Sequence, residues 1–256
     1  MDCHLTNRVA VVTGGGRGIG EGIALRLAAE GAHVVVADQN PETARAVAGK
    51  IEKAGRKALA CGVDVTSWDQ VQGMVAQAIR DLGRIDILVN NAGISPKVDG
   101  RKILVHEIDP AQWDQVLAVN LKGAFHCAKA IIPHMIAQKS GRIVSIASIS
   151  AKTGWAGPAG AHYAASKAGL SALTRFMAHE LAPYNILCNA LAPGRIETPM
   201  RALSNAEENE AMRVRIPLGR FGTVEEVANL VLFLVSDLAS YITGEIVDIN
   251  GGWLID

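Results

Sequence analysis

The chain has 256 residues, enough for one large α/β domain, and with 49% hydrophobic and 20% charged residues it can bury a large core. Lys plus Arg equals Asp plus Glu at 25 each, so there is no overall basic field for nucleic acid, and an aromatic share of 4% leaves little for base stacking.

Residues 1–8 contain no basic region followed by an apolar run, so no signal peptide is read there. No apolar run approaches the ~20 residues a membrane helix needs, and the expectation is a cytoplasmic protein without a membrane partner. Cys3, Cys61, Cys127 and Cys188 are far apart and have no metal-ligand spacing. They read as reduced thiols, and no metal site is expected.

Apolar runs at 8–12, 33–38, 57–62, 85–90, 142–147, 186–191 and 246–249 read as strands. Helical spacing appears over 18–30, 41–54, 67–82, 110–138, 161–182, 205–213 and 223–235. The strands are apolar on both faces, as a covered parallel sheet requires. The alternation implies an α/β protein with a doubly wound, seven-stranded parallel sheet of Rossmann type, ligands lying at the carboxyl ends of the strands. With no repeat and no linker, 1–256 reads as a single domain.

Between the first strand and the first helix runs Thr13-Gly-Gly-Gly-Arg-Gly-Ile-Gly20. A glycine turn opening a helix makes a phosphate cradle of free N–H groups and helix dipole. Gly14, Arg17, Gly18, Ile19 and Gly20 are therefore cofactor candidates, although the spacing is not the commoner Gly-x-Gly-x-x-Gly. The second strand ends at Asp38, 18 residues past Gly20, where an acid should grip the adenosine ribose 2′-hydroxyl. That acid predicts NAD over NADP, because a 2′-phosphate would meet its charge; Arg17 pulls the other way. Asp64 follows the third strand, and an Asx turn or a helix N-cap is one reading of it. Asn90-Asn-Ala-Gly93 closes the fourth strand, and Gly93 allows close backbone approach.

Ser148 ends the fifth strand, and a Gly/Pro-broken loop leads from it to Tyr163 and Lys167. Four residues apart on a helix, these two share one face. A phenol has a pKa of about 10. A neighbouring ammonium should lower that of Tyr163 and suit it to proton transfer near neutral pH. Ser148 could hydrogen-bond a substrate oxygen, and Ser150 is a nearby hydroxyl and a pocket candidate. His162 reads as a wall or capping residue. His126 and His134 have no acid or cysteine beside them and read as packing or surface residues.

From Val9 to about Gly252 the chain resembles the classical short-chain dehydrogenase/reductase family. Thr13 to Gly20, Asp64, Asn90 to Gly93, Asn120, Ser148, Tyr163 with Lys167, and Pro193-Gly194 stand in that family's order. The resemblance implies that Asp64 and Val65 contact the adenine and that Asn91, Ala92 and Gly93 line the adenosine ribose. It implies that Pro193 and Gly194 embrace the nicotinamide while Ile196 and Thr198 bind its carboxamide. Lys167 would also hold the nicotinamide ribose. Asn120 would hold a relay water connecting Lys167 to solvent; a helix-kink Asn bonded only to backbone is the alternative. Residues from about 195 to 217 would form a substrate lid, or an ordinary pair of surface helices.

The implied activity is hydride transfer between NAD(H) and a secondary alcohol or ketone. Tyr163 would move the proton, Ser148 orient the oxygen, and Lys167 and Asn120 complete the relay. Lys97, Arg101, Lys102, Arg195 and Arg201 near the cleft suggest a small polar substrate such as a sugar, polyol or hydroxy acid. Against this stand Asp99, Glu197, Glu207, Glu208 and Glu210, which would make them an ordinary solvated surface; Trp155 is the main aromatic near the cleft. The alternatives are an NADPH-dependent 3-oxoacyl carrier-protein reductase and a non-enzymatic dinucleotide-sensing scaffold. Helices 110–138 and 161–182 are apolar on more than one side, so a homotetramer is expected, with a dimer as the alternative.

Overall fold

The computed structural model describes residue 3 and residues 5–98, 101–154, 159–198 and 206–255, with 206–208 as backbone alone. Seven strands form one sheet: β1 (Val9–Thr13), β2 (His33–Asp38), β3 (Ala58–Gly62), β4 (Ile87–Asn90), β5 (Gly141–Ile146), β6 (Ile186–Pro193) and β7 (Ile246–Ile249). The order is β3-β2-β1-β4-β5-β6-β7, and every pair is parallel. The chain winds outward from β1 in one direction and resumes on its other side at β4. The crevice between the carboxyl ends of β1 and β4 is therefore the switch point where such sheets take ligands.

The helices are α1 (Gly18–Ala29), α2 (Pro41–Lys53), α3 (Trp68–Leu82), α4 (Pro110–Leu117), α5 (Gly123–Gln138), α6 (Ala161–Leu181), α7 (Ala206–Arg213) and α8 (Val224–Val235). Side chains of α1, α2 and α8 close one face of the sheet, with Ile23, Leu27, Val47 and Val231 packed on Val34 and Ile87. Those of α3, α5 and α6 close the other, with Ile131, Met135 and Met177 on Val11, Leu88 and Ile143. Both layers are needed because β1, β4, β5 and β6 are buried along their whole length.

Local chemistry sets the helix starts. The Asn40 side chain accepts from Glu42 N ahead of α2. Ser67 does the same from Gln70 N ahead of α3. Thr223 and Glu226 cap α8 reciprocally. The start of α1 has no side-chain cap, so its first N–H groups remain available.

The expected single helix over 110–138 is broken. Ala118–Lys122 forms a wide π turn between α4 and α5. The additional residue in that turn carries Asn120 inward, where it is 1% exposed. Of the expected lid, 199–205 lies outside the described residues, and α7 follows it.

Candidate active site

The glycine turn is pinned to the end of β4. Thr13 Oγ1 accepts from Asn91 N at 3.0 Å and from Ala92 N at 3.1 Å, and donates to Val89 O at 3.2 Å. Asn91 Nδ2 donates to Thr13 O at 2.9 Å and to Gly14 O at 3.0 Å. Gly14 has φ +60°. A Cβ at Gly20 would lie 2.1 Å from Gly14 O, so the turn closes on bare backbone. Asp38 projects from the end of β2, its Oδ2 accepting from Gly16 N at 2.9 Å and its Oδ1 from Asn40 N at 3.0 Å. The carboxylate is thereby held in one orientation. Asp64 makes an Asx turn, its Oδ1 accepting from Thr66 N at 2.9 Å, while Ser67 is the cap of α3.

These groups open on a cavity of about 1120 Å³ at the carboxyl ends of the strands. Its wall contains Gly14, Arg17, Gly18, Ile19, Gly20, Asp38, Asp64, Val65, Asn91, Ala92, Gly93, Ser148, Tyr163, Lys167, Pro193, Gly194, Ile196 and Thr198. Ile94, Gln115, Ala118, Val119 and Trp253 also line it, and sequence reasoning missed them. Gln115, Ala118 and Val119 come from α4 and the π turn beside Asn120; Trp253 arrives from beyond β7 with no motif to mark it.

The turn after β6 is braced. Ile196 bridges Gly222, with Glu197 N donating to Gly222 O at 2.9 Å. Arg195 Nη2 donates to Asn209 Oδ1 of α7 at 2.9 Å.

At the inner wall, Ser148 leaves β5 and caps a short 3₁₀ turn. Its Oγ accepts from Ser150 N at 3.1 Å and donates to Ser150 Oγ at 3.2 Å. Ser148 is the hydroxyl that favours the charged form of the Tyr163 phenol. One turn on, Lys167 is buried and its Nζ donates to Ile146 O at 2.6 Å. Nζ also lies 5.7 Å from the Tyr163 ring centroid.

The electrostatics differ from the sequence expectation. Burial raises the pKa of Tyr163, and the Ser148 hydrogen bond pulls it back. The phenol loses water on a wall where the ammonium is itself desolvated and tied to a backbone oxygen. Burial pushes the Lys167 ammonium down to about 8.

Asn120 sits behind this pair. Its Oδ1 accepts from Ile94 N at 2.8 Å, and its Nδ2 donates to Ile94 O and to Ser166 Oγ, each at 3.0 Å. A Cβ at Gly93 would lie 3.3 Å from Asn120 Oδ1 and 3.4 Å from Lys167 Nζ, so bare backbone separates the two.

Of the expected cations, Lys97 and Arg195 line the cavity with Arg17. Arg101 and Lys102 are exposed and are not among its lining residues. Asp99, Trp155 and Arg201, and the side chains of Glu207 and Glu208, lie outside the described residues. His126 is buried with Nδ1 3.0 Å from Val65 O. Among the described residues there is no His/Cys/Asp/Glu cluster able to hold a metal, and no helix is long and apolar enough to cross a membrane. All four cysteines are free and buried.

The residues fit a nicotinamide dinucleotide. An uncapped helix start faces the cavity for the pyrophosphate, Asp38 is oriented for a ribose, and glycine backbone lines the approach to Tyr163 and Lys167.

Residues 14–254 match a family model described as Enoyl-(Acyl carrier protein) reductase. The 3-oxoacyl-[acyl-carrier-protein] reductase FabG of Aquifex aeolicus is 44% identical over 253 residues, 98% of this chain and 99% of that one. Its namesake from Thermotoga maritima is 41% identical over 252 residues, 98% and 100% of the two chains. A solved 3-oxoacyl-[acyl-carrier protein] reductase with bound NAD from Brucella melitensis superposes with a TM-score of 0.89 at 36% identity, covering 98% of this chain and 94% of that one. These relatives overturn the expectation of a sugar, polyol or hydroxy-acid substrate. That expectation rested on counting cations around the cleft mouth, and of these Arg101 and Lys102 are not among the residues that line the cavity. By its motifs, its fold and its relatives, the chain belongs to the classical short-chain dehydrogenase/reductase family.

Proposed function

We propose that the protein reduces 3-oxoacyl thioesters of the acyl-carrier type to 3-hydroxyacyl thioesters, with NADH as reductant. The observation that carries the reading is Ser148 and Tyr163 together on the wall of a dinucleotide-sized cavity, with the buried Lys167 ammonium one helical turn on and held by Ile146 O. The relatives, 3-oxoacyl-[acyl-carrier-protein] reductases, suggest the substrate class.

A nicotinamide held along this wall would supply the hydride for C3 of the substrate. Tyr163 gives its hydroxyl proton to the C3 oxygen, and Ser148 donates a hydrogen bond to that oxygen as charge develops. Lys167 stabilises the phenolate left behind. Both donors of the Asn120 amide are spent on Ile94 and Ser166. Asn120 therefore holds a relay water through an oxygen atom, and the proton returns to Tyr163 by way of Lys167. The balance is one ketone, one NADH and one proton to one alcohol and one NAD⁺. Asp38 favours NADH, since both its oxygens are already oriented by backbone donors and a 2′-phosphate would approach a fixed negative charge.

We assign the exposed face of α5 and α6 to contacts between copies in a homotetramer. Phe176 is 69% exposed, and Phe125, 44% exposed, lines a groove with Leu117, Leu121 and Leu173. The four free, buried thiols suit a reducing compartment, and we assign the protein to the cytoplasm.

The test is a substrate panel with purified protein and NADH. A 3-oxoacyl thioester should be converted to the 3-hydroxy product, while a 2-enoyl thioester and a panel of ketoses are not reduced. Reduction of the enoyl thioester alone would replace this reading with enoyl reduction.

A further inference from the structure

We propose that His162 is a positioning residue for Tyr163: its ring caps the first turn of α6 and fixes the backbone from which the phenol projects. The proposal rests on Tyr163 being the proton donor. A helix start leaves its first N–H groups without intrahelical partners. Ser, Thr, Asp or Asn commonly supplies an acceptor at the cap position. Here the cap residue is Gly160, extended at φ −78° and ψ 164°, with no side chain to offer. The ring of His162 folds back instead, and its Nδ1 accepts from Tyr163 N at 3.0 Å.

The pocket around the ring is built for it. His162 is 0% exposed. A Cβ at Gly160 would come within 2.6 Å of His162 Cε1 and 2.8 Å of Nδ1, and within 3.4 Å of Ile103 O. Glycine at 160 thus leaves the space that the imidazole fills. Burial lowers the pKa of His162, although the Gly160 backbone oxygen favours the charged ring. Accepting from Tyr163 N at Nδ1 requires the tautomer that carries its proton on Nε2. Nε2 is buried without a hydrogen-bond partner. A leucine or phenylalanine would fill the same volume without an unpaired polar atom, so the nitrogen facing Tyr163 N gives the histidine its purpose.

The link to function is geometric. Tyr163 is the third residue of α6, in the turn where helices fray. A proton donor displaced by about 1 Å can cost up to ~10²-fold in rate.

Two substitutions separate the acceptor from the packing. His162→Asn keeps an oxygen near the Nδ1 position and discards the rest of the ring. His162→Phe keeps the ring volume and discards the acceptor. The first readout is amide hydrogen exchange at Tyr163. Protection should persist in wild type and His162→Asn and be lost in His162→Phe. The second readout is turnover. His162→Phe should lose about tenfold in kcat with NADH Kd unchanged, whereas His162→Asn stays within about threefold although its Tm is the lower of the two. Gly160→Ala, which displaces the ring, should reproduce the His162→Phe result in both. Wild-type Tyr163 protection in His162→Phe, or equal kcat losses in the Asn and Phe variants, would overturn the proposal. The exchange readout needs no substrate, so it reports on the cap even if the thioester reading of the site fails.

Discussion

Lys167 Nζ stands 2.6 Å from the main-chain oxygen of Ile146 and donates to it, which anchors the ammonium of α6 to the end of β5. Burial pushes its pKa to about 8, so the group is charged at neutral pH and loses its proton just above. In the proposed mechanism reduction leaves a phenolate on Tyr163, which this charge would stabilise. The expected outcome is a kcat/KM for ketone reduction that falls as pH rises through about 8, read from a pH–rate profile.

The same burial has a stability consequence. The folded-state value lies below the ordinary 10.5, so the unfolded chain binds more protons between about 8 and 10.5. The charge penalty is full below pH 8 and vanishes above the unfolded value. Lys167→Met should therefore be inactive yet more stable at pH 7. The gain is about 2 kcal/mol after allowing for the lost bond to Ile146 O. The gap in Tm should close as pH is raised through that window. Equal Tm values at pH 7 would contradict the assignment.

Much of this architecture is legible in the chain itself. β2 and β7 fall on the expected residues, the other strands shift by one or two, and the helix ends coincide or shift by one, because apolar periodicity reports burial directly. The π turn was hidden because one additional residue leaves the apolar spacing of 110–138 nearly unchanged; the buried Asn120 was its only mark. The cavity wall contains every cofactor residue named from the motifs, since those motifs sit at strand ends that the fold gathers. Trp253 escaped because no local pattern says where the chain beyond β7 returns. The Tyr163 shift had the wrong sign because sequence gives neighbours, such as Lys167, but not lost water.

In the proposed function cofactor choice turns on Asp38. Like charges ~4 Å apart cost about 4 kcal/mol at an effective dielectric of ~20. With Asp38 only partly buried, about 1–2 kcal/mol should survive, a preference for NADH over NADPH of about tenfold in kcat/KM. Asp38→Ser should narrow or reverse that ratio. A wild-type enzyme that prefers NADPH would contradict the role given to this carboxylate.

Phe176, 69% exposed on α6, tests the assembly. Phe176→Glu places a charge on the assigned contact face and should lower the mass measured by light scattering at micromolar concentration. Wild-type protein that is already monomeric would remove the basis for the interface.

The most direct measurement is turnover of a 3-oxoacyl thioester by wild type and Tyr163→Phe, with NADH binding followed in parallel. In the proposed mechanism the hydroxyl acts mainly in proton transfer rather than in holding the cofactor. The substitution should cost at least about 10²-fold in kcat while leaving the NADH Kd within about twofold. A Tyr163→Phe enzyme that retains more than about a tenth of wild-type kcat on the thioester would show that the proton comes from elsewhere.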